Sequence, residues 1–199
     1  MPAGDLQDIL TFILEVEKLK GIYRRSKPLG QERYENSAEH SWQVSLLALL
    51  CRDQADFDVD AFKAVKMLLV HDVVEIDAGD KMIYSPEHDD FENESKAAAR
   101  IFGLLPEALE AECLVLWHEY EAKETPEAIY AYAMDRAMPL WQNLNNGGVT
   151  WVENDIVYEQ VVDKNAPIGN ASQELWEILH AKLKRMVTEG ALEAGTSLD

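Results

Sequence analysis

The sequence is poor in cysteine and has no apolar run long enough to cross a membrane, and each absence disfavours a class of protein. Two of its 199 residues are cysteines. Cys51 and Cys113 each lie in an apolar helical context, so we expect free buried thiols and no disulfide. No segment approaches the roughly 18 uninterrupted apolar residues of a membrane span. Residues 1–5 lack the basic patch and apolar core of a secretory signal. These features predict a cytoplasmic protein without a membrane partner.

Positive charge is also scarce: the sequence has 18 Lys and Arg residues and 37 Asp and Glu residues, which gives a net charge of −19. Such a surface repels phosphate backbones, so we expect no nucleic-acid partner. Six of the eighteen basic residues nevertheless fall between Lys18 and Arg33, where Glu32 is the single acidic residue. Two interpretations remain open. The stretch is either a solvated loop that offsets an acidic body, or an edge that receives an anion, where arginine suits phosphate oxygens.

No stretch alternates apolar and polar residues for long enough to predict a β-strand. Where apolar residues recur regularly, their spacing is that of a helix. A first helix is expected with Asp5 as its N-cap, and a second with Asn36 or Ser37 in that position. A third is expected from about residue 60 to residue 77, ending near Gly79. The polar stretch 81–94 is a candidate lid or substrate loop. The sequence therefore predicts one all-α domain over residues 1–190 and a frayed tail over 191–199.

A His-Asp doublet lies inside the apolar run 61–75, which reads as a buried helix. Burying an unpaired carboxylate is costly, and a divalent cation shared by His71 and Asp72 would offset that cost. His40 and Asp135, on two other helical stretches, complete a mixed nitrogen and oxygen set. That set suits Mn²⁺, Co²⁺, Zn²⁺ or Fe²⁺, with Mg²⁺ also considered. The alternative is that the histidines are ordinary core residues with satisfied hydrogen bonds.

The order His40, His71-Asp72, Asp135 resembles the HD-domain metal-dependent phosphohydrolases. The local sequences are similar to the bacterial 5′-deoxynucleotidase branch, over Glu35-Asn36-Ser37-Ala38-Glu39-His40-Ser41 and His71-Asp72-Val73-Val74-Glu75-Ile76-Asp77-Ala78-Gly79-Asp80. The similarity runs from about Leu10 to Leu144. It implies a single HD-type helical bundle, one divalent metal held by those four residues, a homodimer, and removal of phosphate from deoxyribonucleoside 5′-monophosphates.

The resemblance also assigns roles outside the metal set. Glu75 is expected to act as general acid to the leaving 5′-oxygen or as a proton shuttle to the attacking water. Asp80 is expected to share that role or to hold the sugar hydroxyl. Arg25, fifteen residues before His40, matches the phosphate-binding arginine of the family, and Arg24 is the alternative one residue away. Ser26 stands where the family pattern has an aromatic residue.

Several alternatives remain open. The substrate could be another nucleotide, such as a triphosphate or a cyclic nucleotide, or the protein could bind a nucleotide as a non-catalytic regulator. An oxygenase on a related helical scaffold would need two irons and more histidines. His118 could extend the site to a second metal. Pro139, four residues after Asp135, predicts that the helix kinks or ends there.

Overall fold

The computed structural model describes residues 3–85 and 91–195, and that part of the chain is helical. Its α-helices are α1 (Ala3–Val16), α2 (Ser37–Leu50), α3 (Ala61–Val70), α4 (Glu75–Ala78), α5 (Phe91–Phe102), α6 (Glu107–Ala122), α7 (Pro126–Asn145), α8 (Val149–Glu153), α9 (Tyr158–Asn165) and α10 (Gln173–Thr188). Short 3₁₀ helices cover Glu17–Gly21, Arg52–Gln54, His71–Val74 and Ala166–Asn170. The only extended pairing within the described ranges is a single antiparallel bridge between Tyr23 and Asn36. The predicted all-α fold is confirmed.

Side chains at the helix starts explain why α2, α3 and α7 begin where they do. The Asn36 side chain accepts a hydrogen bond from the Glu39 amide, and the Glu39 carboxylate accepts one from the Asn36 amide. This reciprocal pair is a capping box. Asp60 caps α3 by accepting from the Phe62 and Lys63 amides, and Thr125 caps α7 by accepting from the Ala128 amide. Asp5 is not the N-cap of α1, because that helix begins at Ala3 and places Asp5 in its first turn.

The predicted third helix is three consecutive pieces. α3 ends at Val70, a 3₁₀ turn spans His71–Val74, and α4 ends at Ala78 with Gly79 as its C-cap. Gly79 has a φ of 74°, a conformation that glycine adopts without a Cβ penalty. A 3₁₀ turn inside a helical stretch often marks a functional position, and this one carries the His-Asp doublet.

Three apolar clusters support this arrangement. One packs α2, α3 and α7 together through residues such as Val44, Met67 and Met134. A second joins the end of α7 to α9 and α10 around Trp151, and a third joins the 71–74 turn to α5 and α6 around Trp117. Trp117 and Trp151 are core residues. Each helix that carries a candidate ligand is therefore fixed by its own apolar contacts.

Other local expectations had mixed outcomes. The helix through Asp135 does not end at Pro139, since α7 continues to Asn145. The C-terminal tail was expected to fray from residue 191, but its first residues pack against the domain. Leu192 is buried, and the Glu193 carbonyl accepts a hydrogen bond from the Tyr158 amide.

Both cysteines are free thiols and partly buried. A helix with the length and apolar character needed to cross a bilayer is absent from the described ranges.

Candidate metal centre

The four predicted ligands meet at one buried point. His40 lies in the first turn of α2, the doublet lies on the 3₁₀ turn after α3, and Asp135 lies within α7. His40 Nε2 is 2.7 Å from Asp135 Oδ1, and His71 Nε2 is 3.6 Å from the same oxygen. The Asp72 carboxylate closes the group, with Oδ1 3.0 Å from His71 Nε2 and Oδ2 4.0 Å from His40 Nε2. All four side chains are buried.

In His71 and Asp135, the atoms that face away from the centre have their own partners. His71 Nδ1 lies 2.9 Å from the Leu68 carbonyl, which fixes the imidazole with Nε2 toward the centre. Asp135 Oδ2 accepts hydrogen bonds from the Tyr120 hydroxyl at 3.0 Å and from Arg136 Nη2 at 2.6 Å. Partners of this kind orient the residues that bind a metal directly. They leave His71 Nε2 and Asp135 Oδ1 pointing inward.

These residues fit a divalent cation. His71 Nε2 is buried and has no hydrogen-bond partner, although two carboxylates lie close to it. The ligand atoms of His40, His71 and Asp72 lie within 4.8 Å of one another. Two imidazole nitrogens with two carboxylates form a donor set that binds first-row divalent metals. A cation bound here would give the buried His71 Nε2 a partner, together with the other candidate ligands around it.

The electrostatics of the centre show the same need for positive charge. Burial lowers the pKa of His71, but the carboxylates of Asp72 and Asp135 outweigh burial and raise that pKa to about 10. Burial raises the pKa of Asp72, but His71 and Arg24 outweigh it and lower that pKa to about 2. Without a cation the histidine is therefore driven to carry a proton, in the place where a metal would supply the charge.

Glu75 and Asp80 lie beside the ligands and share one arginine. Glu75 Oε2 accepts a hydrogen bond of 2.5 Å from the Ser37 hydroxyl, and its Oε1 is 3.8 Å from Arg24 Nη1. Asp80 Oδ1 is 3.6 Å from the same nitrogen. Burial raises the pKa of Glu75 well above its usual range, and the charge of Asp72 adds to the effect against the opposing charge of Arg24. Glu75 therefore holds its proton to a higher pH than an exposed glutamate does.

The structure brings Arg24, and not Arg25, to the centre. Arg24 Nη1 donates to Asp72 Oδ2 at 2.9 Å. Arg25 is exposed at the rim, with its guanidinium carbon 5.9 Å from the centre of the Tyr34 ring. The segment is extended, since the Arg24 amide donates to the Glu35 carbonyl and the Glu35 amide donates to the Ser26 carbonyl. Successive side chains of an extended segment point to opposite sides, so residues 24 and 25 cannot both face the candidate metal centre.

The centre opens into a cavity of about 670 Å³. Its walls away from the ligands include the aromatic and apolar side chains of Met82, Tyr84, Leu140 and Trp151. A volume in this range accommodates a small organic molecule. Residues 81–84 of the predicted substrate loop line the cavity, whereas its residues 86–90 lie outside the described part of the chain.

The other histidines take no part in the centre. His118 is exposed and packs against Trp117 and Phe91 at ring distances of 4.9 and 6.4 Å. His180 pairs with the Tyr158 hydroxyl at 2.8 Å. Among the described residues, the cluster that could hold a metal contains His40, His71 and Asp72 and does not include His118. His88 lies outside the described residues.

Sequence reasoning missed the residues that orient the ligands. Arg136 is adjacent to Asp135, so its proximity could have been inferred, although not its bond to Asp135 Oδ2. Tyr120 and Ser37 come from different helices, and no local pattern reveals that their hydroxyls face Asp135 and Glu75. Their positions follow from packing between distant segments.

A helical fold with a buried His/Asp centre defines the class, and the comparisons agree with it. The sequence matches the HD domain over residues 16–176. The chain belongs to the HD domain family, as its motifs predicted.

Several proteins resemble the chain over most of its length. A crystal structure of a "predicted metal-dependent phosphohydrolase" from Magnetospirillum magnetotacticum MS-1 is 40% identical, covers 98% of both chains and superposes with a TM-score of 0.92. The mouse 5′-deoxynucleotidase HDDC2 is 27% identical over 70% of each sequence, and the human one is 27% identical over 68% of this chain and 67% of its own length. An HD-domain phosphohydrolase from Listeria innocua, 19% identical with a TM-score of 0.60 over 93% of this chain and 92% of its own, shares the fold.

Proposed function

We propose that the protein is a metal-dependent phosphohydrolase that converts deoxyribonucleoside 5′-monophosphates to deoxynucleosides and phosphate. The observation that supports this most directly is the convergence of His40, His71, Asp72 and Asp135 at the floor of a nucleotide-sized cavity, with Arg24 beside them. The names of the mouse and human relatives supply the substrate class.

Those four side chains would hold the cation. When bound, a divalent cation there supplies Lewis-acid chemistry, which polarises a phosphoryl oxygen and makes water more acidic. Its identity among Mn²⁺, Co²⁺, Zn²⁺, Fe²⁺ and Mg²⁺ is part of the proposal that metal analysis must decide.

The remaining residues bind phosphate and move a proton. Arg24 places a guanidinium next to the ligands, where its N–H donors can bind phosphoryl oxygens and balance their charge. In hydrolysis, water adds to phosphorus while the bond from phosphorus to the 5′-oxygen breaks. Glu75 gives its proton to that leaving oxygen, and its raised pKa keeps the proton available. The Ser37 hydroxyl fixes Glu75 by donating a hydrogen bond to it. Asp80, beside Arg24, would share the proton transfer or hold the sugar hydroxyl.

The test combines metal analysis with a substrate screen. The purified protein should contain about one divalent metal per chain and should release phosphate from deoxynucleoside 5′-monophosphates in Mn²⁺, Co²⁺ or Mg²⁺. Triphosphates and cyclic nucleotides belong in the same panel, with pyrophosphate detected separately. The His71→Ala variant should lose both metal and activity. Nucleotide binding without release of phosphate would favour the regulatory alternative.

We also propose a cytoplasmic homodimer with no nucleic-acid partner. Two helices expose apolar residues with the same helical spacing: Leu6, Leu10, Ile13 and Leu14 on α1, and Trp42, Leu46, Leu49 and Leu50 on α2. Apolar faces of this kind on a small protein commonly pack against another chain. Sedimentation of the purified protein should give twice the mass of the chain, and Leu10→Glu with Leu14→Glu should shift it to the monomer.

A further inference from the structure

Glu35 is a buried carboxylate next to the metal centre that has no role in the hydrolysis described above. Its side chain is 2% exposed. Oε1 accepts a hydrogen bond from Gln142 Nε2 at 2.7 Å, and Oε2 accepts one from the Ser26 hydroxyl at 2.9 Å. These two hydrogen bonds come from neutral groups, so they offset only part of the free energy that burying a carboxylate costs.

Two buried nitrogens without hydrogen-bond partners face this carboxylate. His40 Nδ1 is 3.7 Å from Glu35 Oε2, and Arg24 Nε is 4.0 Å from the same oxygen. Both distances are longer than a hydrogen bond, but no other carboxylate lies within ion-pair distance of His40 Nδ1 among the described residues. Glu35 therefore lies behind one metal ligand and behind the arginine of the site.

The position of Glu35 matters because it bears on which ring nitrogen of His40 carries the proton. A histidine that binds a cation through Nε2 must carry its single ring proton on Nδ1. For His71 the corresponding nitrogen lies 2.9 Å from the Leu68 carbonyl, so the backbone receives that proton. For His40 the group in the equivalent place is the Glu35 carboxylate. Without it, a buried N–H would have no acceptor, which disfavours the tautomer that binds metal.

We infer that Glu35 is a positioning residue, whose carboxylate accepts the Nδ1 proton of His40 and so keeps Nε2 directed at the cation. The inference rests on the metal centre of the proposed function and on none of its assumptions about substrate. The rival explanation is that Glu35 only balances the charge of Arg24, in which case its removal would leave metal binding unchanged.

The experiment compares Glu35→Gln with wild type by calorimetric titration of the metal-free full-length protein with Mn²⁺. Glutamine keeps the size of the side chain but has one acceptor oxygen. The Gln142 donor would hold that oxygen at the Oε1 position, so the NH₂ group would face Ser26 and His40 in place of Oε2. Loss of the carboxylate should weaken Mn²⁺ binding about 10- to 100-fold, the usual effect of removing a partner of a metal-bound histidine. Ser26→Ala is the matched control, because it removes a hydrogen bond to Glu35 but retains the carboxylate, and its Mn²⁺ affinity should stay close to wild type.

A second measurement needs no variant to fold. In the Zn²⁺-loaded wild-type protein, ¹⁵N NMR of the imidazoles should show two exchange-protected Nδ1–H groups at the centre, one from each histidine. Equal Mn²⁺ affinity in Glu35→Gln and wild type, or a Zn²⁺ complex in which His40 carries its proton on Nε2, would overturn the role of Glu35. A wild-type chain that binds no cation would instead overturn the metal centre and, with it, this inference.

Discussion

Arg24 donates from Nη1 to Asp72 Oδ2 over 2.9 Å, across 48 positions of sequence, whereas its neighbour Arg25 lies over the ring of Tyr34 at the surface. The two arginines are chemically identical and adjacent, so they form a matched pair for mutation. The Arg24 guanidinium also lies 3.8 Å from Glu75 and 3.6 Å from Asp80. It is therefore the residue that we expect to contact phosphate.

Arg24→Gln should lower kcat/KM for a deoxynucleoside monophosphate about 10- to 100-fold, because a charge-assisted hydrogen bond contributes about 1.5–3 kcal/mol. Arg25→Gln should change it by no more than about twofold, as expected for an exposed charge. Steady-state kinetics of the two variants at saturating Mn²⁺ provide the measurement. A larger loss in Arg25→Gln than in Arg24→Gln would show that the exposed arginine binds the substrate.

Glu75→Gln should reduce kcat while leaving metal binding intact. Glu75 is outside the ligand set, and its proposed task is to protonate the leaving oxygen, which an amide cannot do. Loss of a general acid typically lowers kcat about 10²- to 10⁴-fold. Phosphate release together with metal content per chain would check both halves of the prediction, and wild-type kcat in this variant would eliminate the role.

The choice between the two arginines illustrates what sequence alone could predict. The candidate ligands could be proposed because a His-Asp doublet stands in an apolar helical run and because the order His40, His71-Asp72, Asp135 resembles that of the HD-domain proteins. The arginine lies in an extended segment whose facing side depends on its pairing with Glu35. That pairing is tertiary, so counting residues back from His40 pointed to position 25 and the structure presents position 24.

The same limit applies around the ligands. A helical period predicted a continuous helix through the doublet, but the chain tightens to a 3₁₀ turn at His71–Val74, where the side chains of both candidate ligands lie close together. The hydrogen bond from Tyr120 to Asp135 joins α6 to α7 and has no signature in either helix alone. The candidate ligands could be proposed from their residue types and from the resemblance to the HD-domain motifs, whereas the side chains that orient them depended on packing.

Tyr120→Phe should weaken metal binding without unfolding the protein. The change removes the hydroxyl that donates to Asp135 Oδ2 at 3.0 Å, while Arg136 still binds that oxygen. We therefore expect about a tenfold loss of Mn²⁺ affinity, at the low end of the range for such partners. Calorimetric titration with Mn²⁺ provides the measurement.

Tyr130→Phe is the control for that variant. Tyr130 is also a buried tyrosine of the core, but its hydroxyl donates to the Ala48 carbonyl at 2.7 Å. Its removal should cost about 1–3 kcal/mol of folding stability and leave Mn²⁺ affinity unchanged. If both variants lost affinity equally, the effect would belong to the core and not to Asp135.

Glu75→Gln should also stabilise the metal-free protein at neutral pH. Burial raises the pKa of Glu75 in the folded state, so the folded chain binds its proton more tightly than the unfolded chain does. The carboxyl group therefore destabilises the fold increasingly as pH rises above the unfolded pKa, and glutamine removes that penalty. In thermal unfolding at pH 7 with chelator present, the variant should melt above wild type, by about 2–4 °C for each kcal/mol recovered. The difference should shrink as pH falls toward 4, where Glu75 is protonated in both states. A gap that is constant with pH, or a variant that melts lower at pH 7, would contradict a protonated Glu75 in the folded protein and with it the proton donor of the proposed reaction.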